Sequence, residues 1–279
     1  QEDGETLQLP GGRHVGRCLH EIIEEVPFST FKRSPSLQDW SARPEVIRVF
    51  EAVMRRHGVD QLWISHCQTL IYHTLNQPIT LFRQSVDLSN KSFPPPITLP
   101  PLHRLKHIIE MEFLYPIPER FHPKLDEVAS TPKRGRPLDV RVQSQSGLPH
   151  PWVVERGFVK GFIDYIFEHR GKVYFVDWKS DHCLIYRGPT LVRHVEDHYI
   201  LQAQLYTLGV VRWLRIRTEE DYQRRFGGLI YLFLRGLTHD AEPGDGVYFQ
   251  RPAWSEVLQY ERDLSALIPP YQGLTSHPI

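Results

Sequence analysis

Two aspartates and a lysine are the residues of this 279-residue chain whose types and spacing could do chemistry together. The run Lys172 to Lys179 alternates apolar and polar residues, and side chains alternate across a strand, so Val173, Phe175, Asp177 and Lys179 share one face. In the preceding run, Gly157 to Glu168, Asp164 interrupts the otherwise apolar stretch Gly161 to Phe167. The two runs meet at His169-Arg170-Gly171, which predicts a β-hairpin, and its turn allows Asp164 and Asp177, 13 positions apart, to converge. A carboxylate among apolar neighbours is costly unless a cation or hydrogen bonds compensate it. Two carboxylates and an ammonium at a sheet edge make a pocket for a hard divalent ion with a water beside it. Taken singly, each residue also has a plain structural reading: Asp177 and Lys179 as a solvated strand end, Asp164 as the partner of an arginine. The ordered set favours chemistry: G-x-x-D, then D-x-K, then a helix carrying Gln202 and Tyr206 as Q-x-x-x-Y.

The elements that must position these residues follow from periodicity. Val15, Leu19, Ile22, Ile23 and Val26 recur at helical spacing over Arg13 to Val26, and Pro27 stops the helix. A second helix runs from Pro44, suited to a first turn, to His57, with Gly58 as cap and Ile47, Phe50, Val53 and Met54 as its buried stripe. A third covers Leu62 to Leu75. The proline-rich stretch Ser92 to Pro101 is neither helix nor central strand and reads as an extended surface connection. His107 to Leu114 alternates as a strand. The polar and basic stretch Pro116 to Pro149, with Lys133, Arg134, Arg136 and Arg141, has the length of a functional or mobile loop. Glu196 to Arg217 returns to helical spacing, Gly228 to Arg235 is apolar enough for a central strand, Gly246 to Gln250 is an edge strand, and Trp254 to Leu267 is a last amphipathic helix. The order of the core is αβββαβ, a mixed α/β sheet with a helical N-terminal elaboration.

Composition narrows the class. With 41% hydrophobic and 24% charged residues the chain is globular rather than disordered. No apolar run approaches the roughly 18–20 residues of a membrane helix, and Gln1 to Gly12 has no apolar core of a signal peptide. Cys18, Cys67 and Cys183 form no CxxC pair and no disulfide framework, which predicts a cytoplasmic protein. Against a four-cysteine iron–sulfur cluster, three scattered cysteines are too few. Thirty-three basic against 33 acidic side chains give no net charge, so charge alone does not announce a nucleic-acid binder. No GxxxxGK[ST] loop is present, so this chain does not itself encode ATP hydrolysis.

The blocks Lys160-Gly161-Phe162-Ile163-Asp164, Asp177-Trp178-Lys179-Ser180 and Leu201-Gln202-Ala203-Gln204-Leu205-Tyr206 together resemble the RecB-type nuclease domain of exodeoxyribonuclease V. That domain belongs to the PD-(D/E)xK superfamily, with its restriction-endonuclease-like fold. Leu19-His20-Glu21-Ile22-Ile23-Glu24, Met111-Glu112-Phe113, Phe226 to Gly236 and Gly246-Val247-Tyr248 extend the likeness over roughly residues 14–260. The resemblance implies one nuclease domain over residues 13–279, preceded by the end of a linker at 1–12. It implies that His20, Asp164, Asp177 and the Trp178 carbonyl bind a metal, and that Lys179 handles the attacking water and the phosphate. By the same likeness Glu112 helps hold metal-bound water, while Gln202 and Tyr206 support the site or touch the DNA backbone. The implied metal is Mg2+, with Mn2+ possible and Ca2+ able to occupy the site without supporting cleavage. The implied substrate is DNA, chiefly single-stranded, and the implied partners are the RecC and RecD subunits and RecA, in double-strand-break repair and recombination.

Physical chemistry bears on these roles. Magnesium takes oxygen ligands, whereas a nitrogen ligand such as His20 suits manganese better. His20 lies at the rim of its helix's apolar stripe, and Glu24, one turn later, is placed to be its partner. Arg134, Arg136, Arg141 and Lys160 are candidate phosphate contacts, although a solvated loop explains the first three equally well. Two other readings stay open: a non-catalytic DNA-binding or scaffold domain of the same fold, and a structure-specific endonuclease such as a junction resolvase.

Overall fold

The structure, a computed structural model, describes residues 9–82, 95–116, 153–155 and 158–266. The expected loop with Lys133, Arg134, Arg136 and Arg141 lies outside them, as do residues 92–94 of the proline-rich stretch and the side chain of Lys160.

The architecture is the expected mixed α/β fold. Its main sheet has the strand order β3 (His107–Pro116), β5 (Phe158–His169), β6 (Lys172–Lys179), β7 (Phe226–Phe233), β8 (Val247–Gln250), with β4 (Val153–Glu155) antiparallel to β5. The helices α6 (Gly188–Trp213) and α7 (Glu219–Arg225) intervene between the neighbours β6 and β7, the length a crossover connection needs. Every residue of β7 is buried, as its continuous apolar run requires, and β8 is the edge.

The chain forms two compact units, residues 1–110, 164–197 and 227–251, and residues 111–163, 198–226 and 252–279. In the first, five helices come first: α1 (Arg13–Glu25), α2 (Ser29–Lys32), α3 (Leu37–Ser41), α4 (Pro44–Arg56) and α5 (Ile64–Asn76). Residues preceding proline are driven to extended backbone, and Val26, at φ −70° and ψ 123°, ends α1 in that way. Pro44 opens α4, but Val46 takes the buried place expected of Ile47, which is half-buried beside Phe50, Val53 and Met54. The third expected helix starts as a single 3-10 turn, Gln61–Trp63, because the Asp60 carboxylate accepts the Leu62 N–H at 2.9 Å. Two short helices that the sequence pattern did not announce, α2 and α3, wrap the fully buried Trp40. Its indole N–H donates to Thr30 Oγ1 at 2.9 Å and its ring stacks on Phe31.

Part of the proline-rich stretch corrects the expectation of a plain connection. Ile97–Leu99 is a strand, β2, antiparallel to β1 (Ile79–Leu81), and Leu99 is buried. A two-stranded sheet leaves one side of each strand free of ladder bonds, which is where flanking prolines are tolerated.

The hairpin is as expected. Its ladder runs from Tyr165↔Val176 to His169↔Lys172. Arg170 (φ 51°) and Gly171 (φ 74°) make the two-residue turn with both central residues left-handed, the geometry that matches strand twist. One face of the hairpin carries Tyr165, Phe167, Tyr174, Val176 and Trp178 into a core shared with α1, α4 and α5. Each such large apolar side chain contributes about 1.5–3 kcal/mol on burial. Because alternation is strict, the opposite face is left for Asp177 and Lys179.

In the second unit, the buried part of α6 includes Gln202, Leu205, Tyr206 and Val210. The helix starts at Gly188, in the first unit, rather than at Glu196, with Pro189 in its first turn and Leu191 and Val195 buried along it. It ends at Trp213 rather than Arg217: Arg215 turns left-handed (φ 54°), its N–H donates to the Arg212 carbonyl at 2.8 Å, and the Ile216 N–H donates to the Val211 carbonyl at 3.0 Å. Within this unit α7 was not foreseen. Thr218 caps it by accepting the Asp221 N–H, and three acids occupy its first turn. The last helix, α8 (Trp254–Ala266), matches expectation.

Candidate active site

The register of the hairpin places the acids. The last ladder pair is Tyr165↔Val176, so Asp164 and Asp177 are the next residues on the two strands and leave the hairpin on the same face. Asp164 then turns to the backbone, and its Oδ2 accepts the Trp178 N–H at 2.8 Å. From α1, His20 reaches the same residue: its Nε2–H donates to the Trp178 carbonyl at 2.9 Å, and its Nδ1 lies 3.5 Å from Asp164 Oδ1. In an extended strand a residue's N–H and C=O point to the same side, so Asp164 and His20 grip one backbone residue together.

Charge sets the protonation of this cluster. Burial pushes the His20 imidazole down, but Asp164 beside it, and Asp177 behind, outweigh that and the opposing Lys179, raising its pKa to about 9. At neutral pH it is an imidazolium, a cation lodged between a carboxylate and a carbonyl. Asp177 is buried and bonded to the Lys179 ammonium at 2.6 Å. Burial lifts the Asp177 carboxyl to about 6; Lys179 pulls it down and Asp164 pushes it further up. The Lys179 ammonium also lies 4.7 Å from the centre of the Tyr231 ring, within reach of a cation–π contact. Glu24 sits one turn after His20, as its spacing predicted, but its hydrogen bond goes to Glu110. Burial first, and then Glu110, lift the Glu24 carboxyl to about 7.

The donor set fits a hard divalent ion in kind: carboxylates, a main-chain carbonyl and one imidazole. In this structure His20 Nε2 and the Trp178 oxygen are joined by a hydrogen bond of 2.9 Å, so the proton between them would have to leave before both could face one ion. In the arrangement seen, the protein's own cations, His20 and Lys179, hold these oxygens. Among the described residues no three acidic, histidine or cysteine side chains yet converge on a common metal position.

The structure therefore brings His20, Asp164, Asp177, Trp178 and Lys179 together in the first unit. Glu112, Gln202 and Tyr206 fall in the second: Glu112 is exposed on β3, Gln202 is buried on α6, and the buried Tyr206 ring stands edge-on to Phe113 at 5.4 Å. Sequence reasoning missed Tyr231, Glu110 and Arg235. A lone hydroxylated ring in the apolar run Gly228 to Phe233 was the only signal for Tyr231, and a single cation closing that run was the signal for Arg235. Glu110 left none, since its left-handed backbone (φ 51°) is not written in its residue type.

No protein-family profile matches the chain. Full-length curated proteins do. Over 256 residues the chain is 30% identical to the RecBCD enzyme subunit RecB of Escherichia coli (strain K12), across 88% of this chain and 18% of that protein. The relatives are RecB subunits. RecB of Haemophilus influenzae is 28% identical over 94% of the chain, and RecB of Borreliella burgdorferi 24% over 92%. The resemblance to RecB read from the D-x-K and Q-x-x-x-Y blocks thus holds along most of the chain. The chain spans about a fifth of the length of the RecB subunits it matches.

Proposed function

We propose that this chain is the nuclease part of a RecBCD-type helicase-nuclease, a metal-dependent deoxyribonuclease that hydrolyses phosphodiester bonds, chiefly of single-stranded DNA. One observation carries the reading. Asp164, Asp177, His20 and the Trp178 carbonyl meet at the end of β6, with the Lys179 ammonium fixed on Asp177. Asp164, Asp177, the Trp178 oxygen and His20, the last only after giving up its ring proton, would hold Mg2+, or Mn2+, which would supply Lewis-acid polarisation of the phosphate and a lowered pKa for its water.

The chain's own groups do the rest. Asp164 fixes the Trp178 backbone through the N–H, so the neighbouring carbonyl keeps its aim. Lys179, held by Asp177 and by the Tyr231 ring, presents an ammonium that orients the attacking water and stabilises charge developing on the phosphate. Glu112 would help hold water, and Gln202 and Tyr206 would support the site or contact the DNA backbone. The reading takes residues 13–279 as one nuclease domain and 1–12 as the end of a linker, although Leu9 is already buried in the core of the first unit. In it the chain works in the cytoplasm with RecC, RecD and RecA in double-strand-break repair and recombination. Among the described residues no helix is long and apolar enough to cross a membrane, and the three cysteines are free thiols.

The test is cleavage of end-labelled linear single-stranded DNA with magnesium, with manganese and with chelator, beside an Asp177→Ala control. Metal-dependent degradation that disappears in the variant is expected. Wild-type protein that binds DNA and never cuts it with either metal would sink the enzymatic reading and favour the scaffold. Cutting confined to junctions or other branched substrates would favour a structure-specific endonuclease.

A further inference from the structure

Beyond the D-x-K strand the sheet stops ordering the chain: β6 ends at Lys179, and residues 180–183 have no regular structure. The side chain that does the chemistry thus sits at the last ordered position, and something else must fix the residue after it. Arg235 does so. It stands in the single 3-10 turn that closes β7, and its guanidinium meets three main-chain oxygens: Nε donates to Ser180, Nη1 to Leu9 and Nη2 to Pro10, each at 2.8 Å. The group is half-buried, with the Asp181 carboxylate as a nearby opposite charge. A planar fork with five donors in fixed directions suits three carbonyls; an ammonium, with its donors on one nitrogen, does not.

Other contacts close the same loop. At Gly16 on α1 a Cβ would stand 2.7 Å from Ser180 Oγ, so the helix that carries His20 one turn later lies directly against Ser180. The Tyr186 hydroxyl donates to the Asp181 carbonyl at 2.9 Å and accepts the Cys183 N–H at 3.2 Å, while the Tyr186 carbonyl accepts the Gly246 N–H at 2.8 Å. Leu9, whose carbonyl Arg235 holds, is fully buried.

The geometry points to Arg235 as a positioning residue for the D-x-K site. By tying Ser180 to the Leu9–Pro10 backbone it fixes the peptide that follows Lys179, and so fixes where the ammonium points. The segment at residues 9–10 becomes a structural part of the site. This inference rests on the proposed nuclease reading; Arg235 touches neither DNA nor metal in it and acts only through Ser180.

The experiment uses the full 279-residue chain as Arg235→Met, Arg235→Lys and Arg235→Ala, assayed on single-stranded DNA with magnesium well below the unfolding temperature of each variant. Misplacement of a catalytic group by a fraction of an ångström to an ångström costs about ten- to a hundredfold in rate, so kcat should fall by that factor with KM within about twofold. Arg235→Lys should fall with Arg235→Met, since charge without the fork does not span three carbonyls. Methylguanidinium should return part of the rate to Arg235→Ala. Hydrogen exchange, read on the same proteins, should accelerate in the peptide covering 180–186 and stay unchanged in 172–178. Wild-type kcat in folded Arg235→Met, or full activity in Arg235→Lys, overturns the proposal. If the wild type itself cuts no DNA with magnesium or manganese, the nuclease reading fails on its own. Exchange at 180–186 then decides the role of Arg235: acceleration supports it, and an unchanged rate overturns it.

Discussion

His103 and His20 belong to the same unit, and burial lowers the proton affinity of both, yet they end on opposite sides of neutrality. His103 is buried in the helical core. Its Nδ1–H donates to the Leu75 carbonyl at 3.0 Å and its ring stacks on Phe31. Burial, with Arg104 and Lys32 nearby, keeps its pKa below the ordinary value against the pull of the Leu75 bond, so it is a neutral, apolar-packed ring with one satisfied donor. His20 meets Asp164 and Asp177 instead, and its pKa rises to about 9. The lesson is that desolvation alone makes a histidine structural, whereas desolvation beside buried carboxylates makes it a cation. A fold gathers several buried acids at one edge at a cost in stability unless cations meet them there. In this protein those cations are His20 and Lys179, and the proposed metal would join or replace them.

The largest expected effect separates the two regions by activity. Lys179→Ala should lower the rate of metal-dependent DNA cleavage by about a thousandfold, the scale of removing a stabiliser of transition-state charge. His103→Phe should leave the rate per folded molecule within about threefold, because nothing at His103 faces the acids. Single-turnover cleavage at saturating protein measures both. Comparable losses in the two variants would erase the distinction.

The candidate site is legible in the sequence because strand alternation is strict and the turn is short. Once Asp177 and Lys179 share a face, and Arg170-Gly171 closes the hairpin, register alone carries Asp164 across to them. Helix α4 was legible from Pro44 and Gly58, and β7 from its unbroken apolar run. Other elements were too short to show a period: β1 and β2 have three residues each, and α7 has seven. The first turns of α6, with Arg193, His194, Glu196 and Asp197 among the apolar residues, hide its start. Glu110 and Arg235 were out of reach for a different reason. One depends on a backbone angle and the other on three carbonyls distant in sequence, and neither leaves a pattern in neighbouring residue types.

A stability measurement sharpens the comparison next. Lys179→Met leaves Asp177 buried beside Asp164 without its ammonium, and breaking a buried ion pair by one partner costs about 3–5 kcal/mol. Asp177→Asn combined with Lys179→Met removes both charges and should recover most of that loss while cleavage stays absent. Denaturant unfolding in chelator, with the single and double variants side by side, reads the coupling. Additive losses would mean that the pair does not act as a unit. In the helical core the corresponding change is Trp40→Phe, which removes the indole donor to Thr30 and part of a fully buried ring. About 1–3 kcal/mol is expected there, with cleavage per folded molecule unchanged.

The smallest effect is the pH dependence that His103 contributes. Its folded pKa lies below the unfolded value of about 6.5, so below that pH the unfolded chain takes up a proton that the folded chain refuses. The stability tied to its neutral ring is therefore present above about pH 6.5 and is lost as the pH falls, by at most about 1.4 kcal/mol per pH unit. His57, His66, His73 and His182 are shifted in the same direction, each first by burial, so wild type alone does not isolate the term. The difference between wild type and His103→Gln does. Glutamine keeps a donor for the Leu75 carbonyl but cannot titrate, so unfolding free energies of the two proteins should converge between pH 7.5 and about 5.5 if the buried ring behaves as argued. Parallel curves over that range would show that His103 takes its proton without opening the core, and the contrast with His20 would then rest on geometry alone.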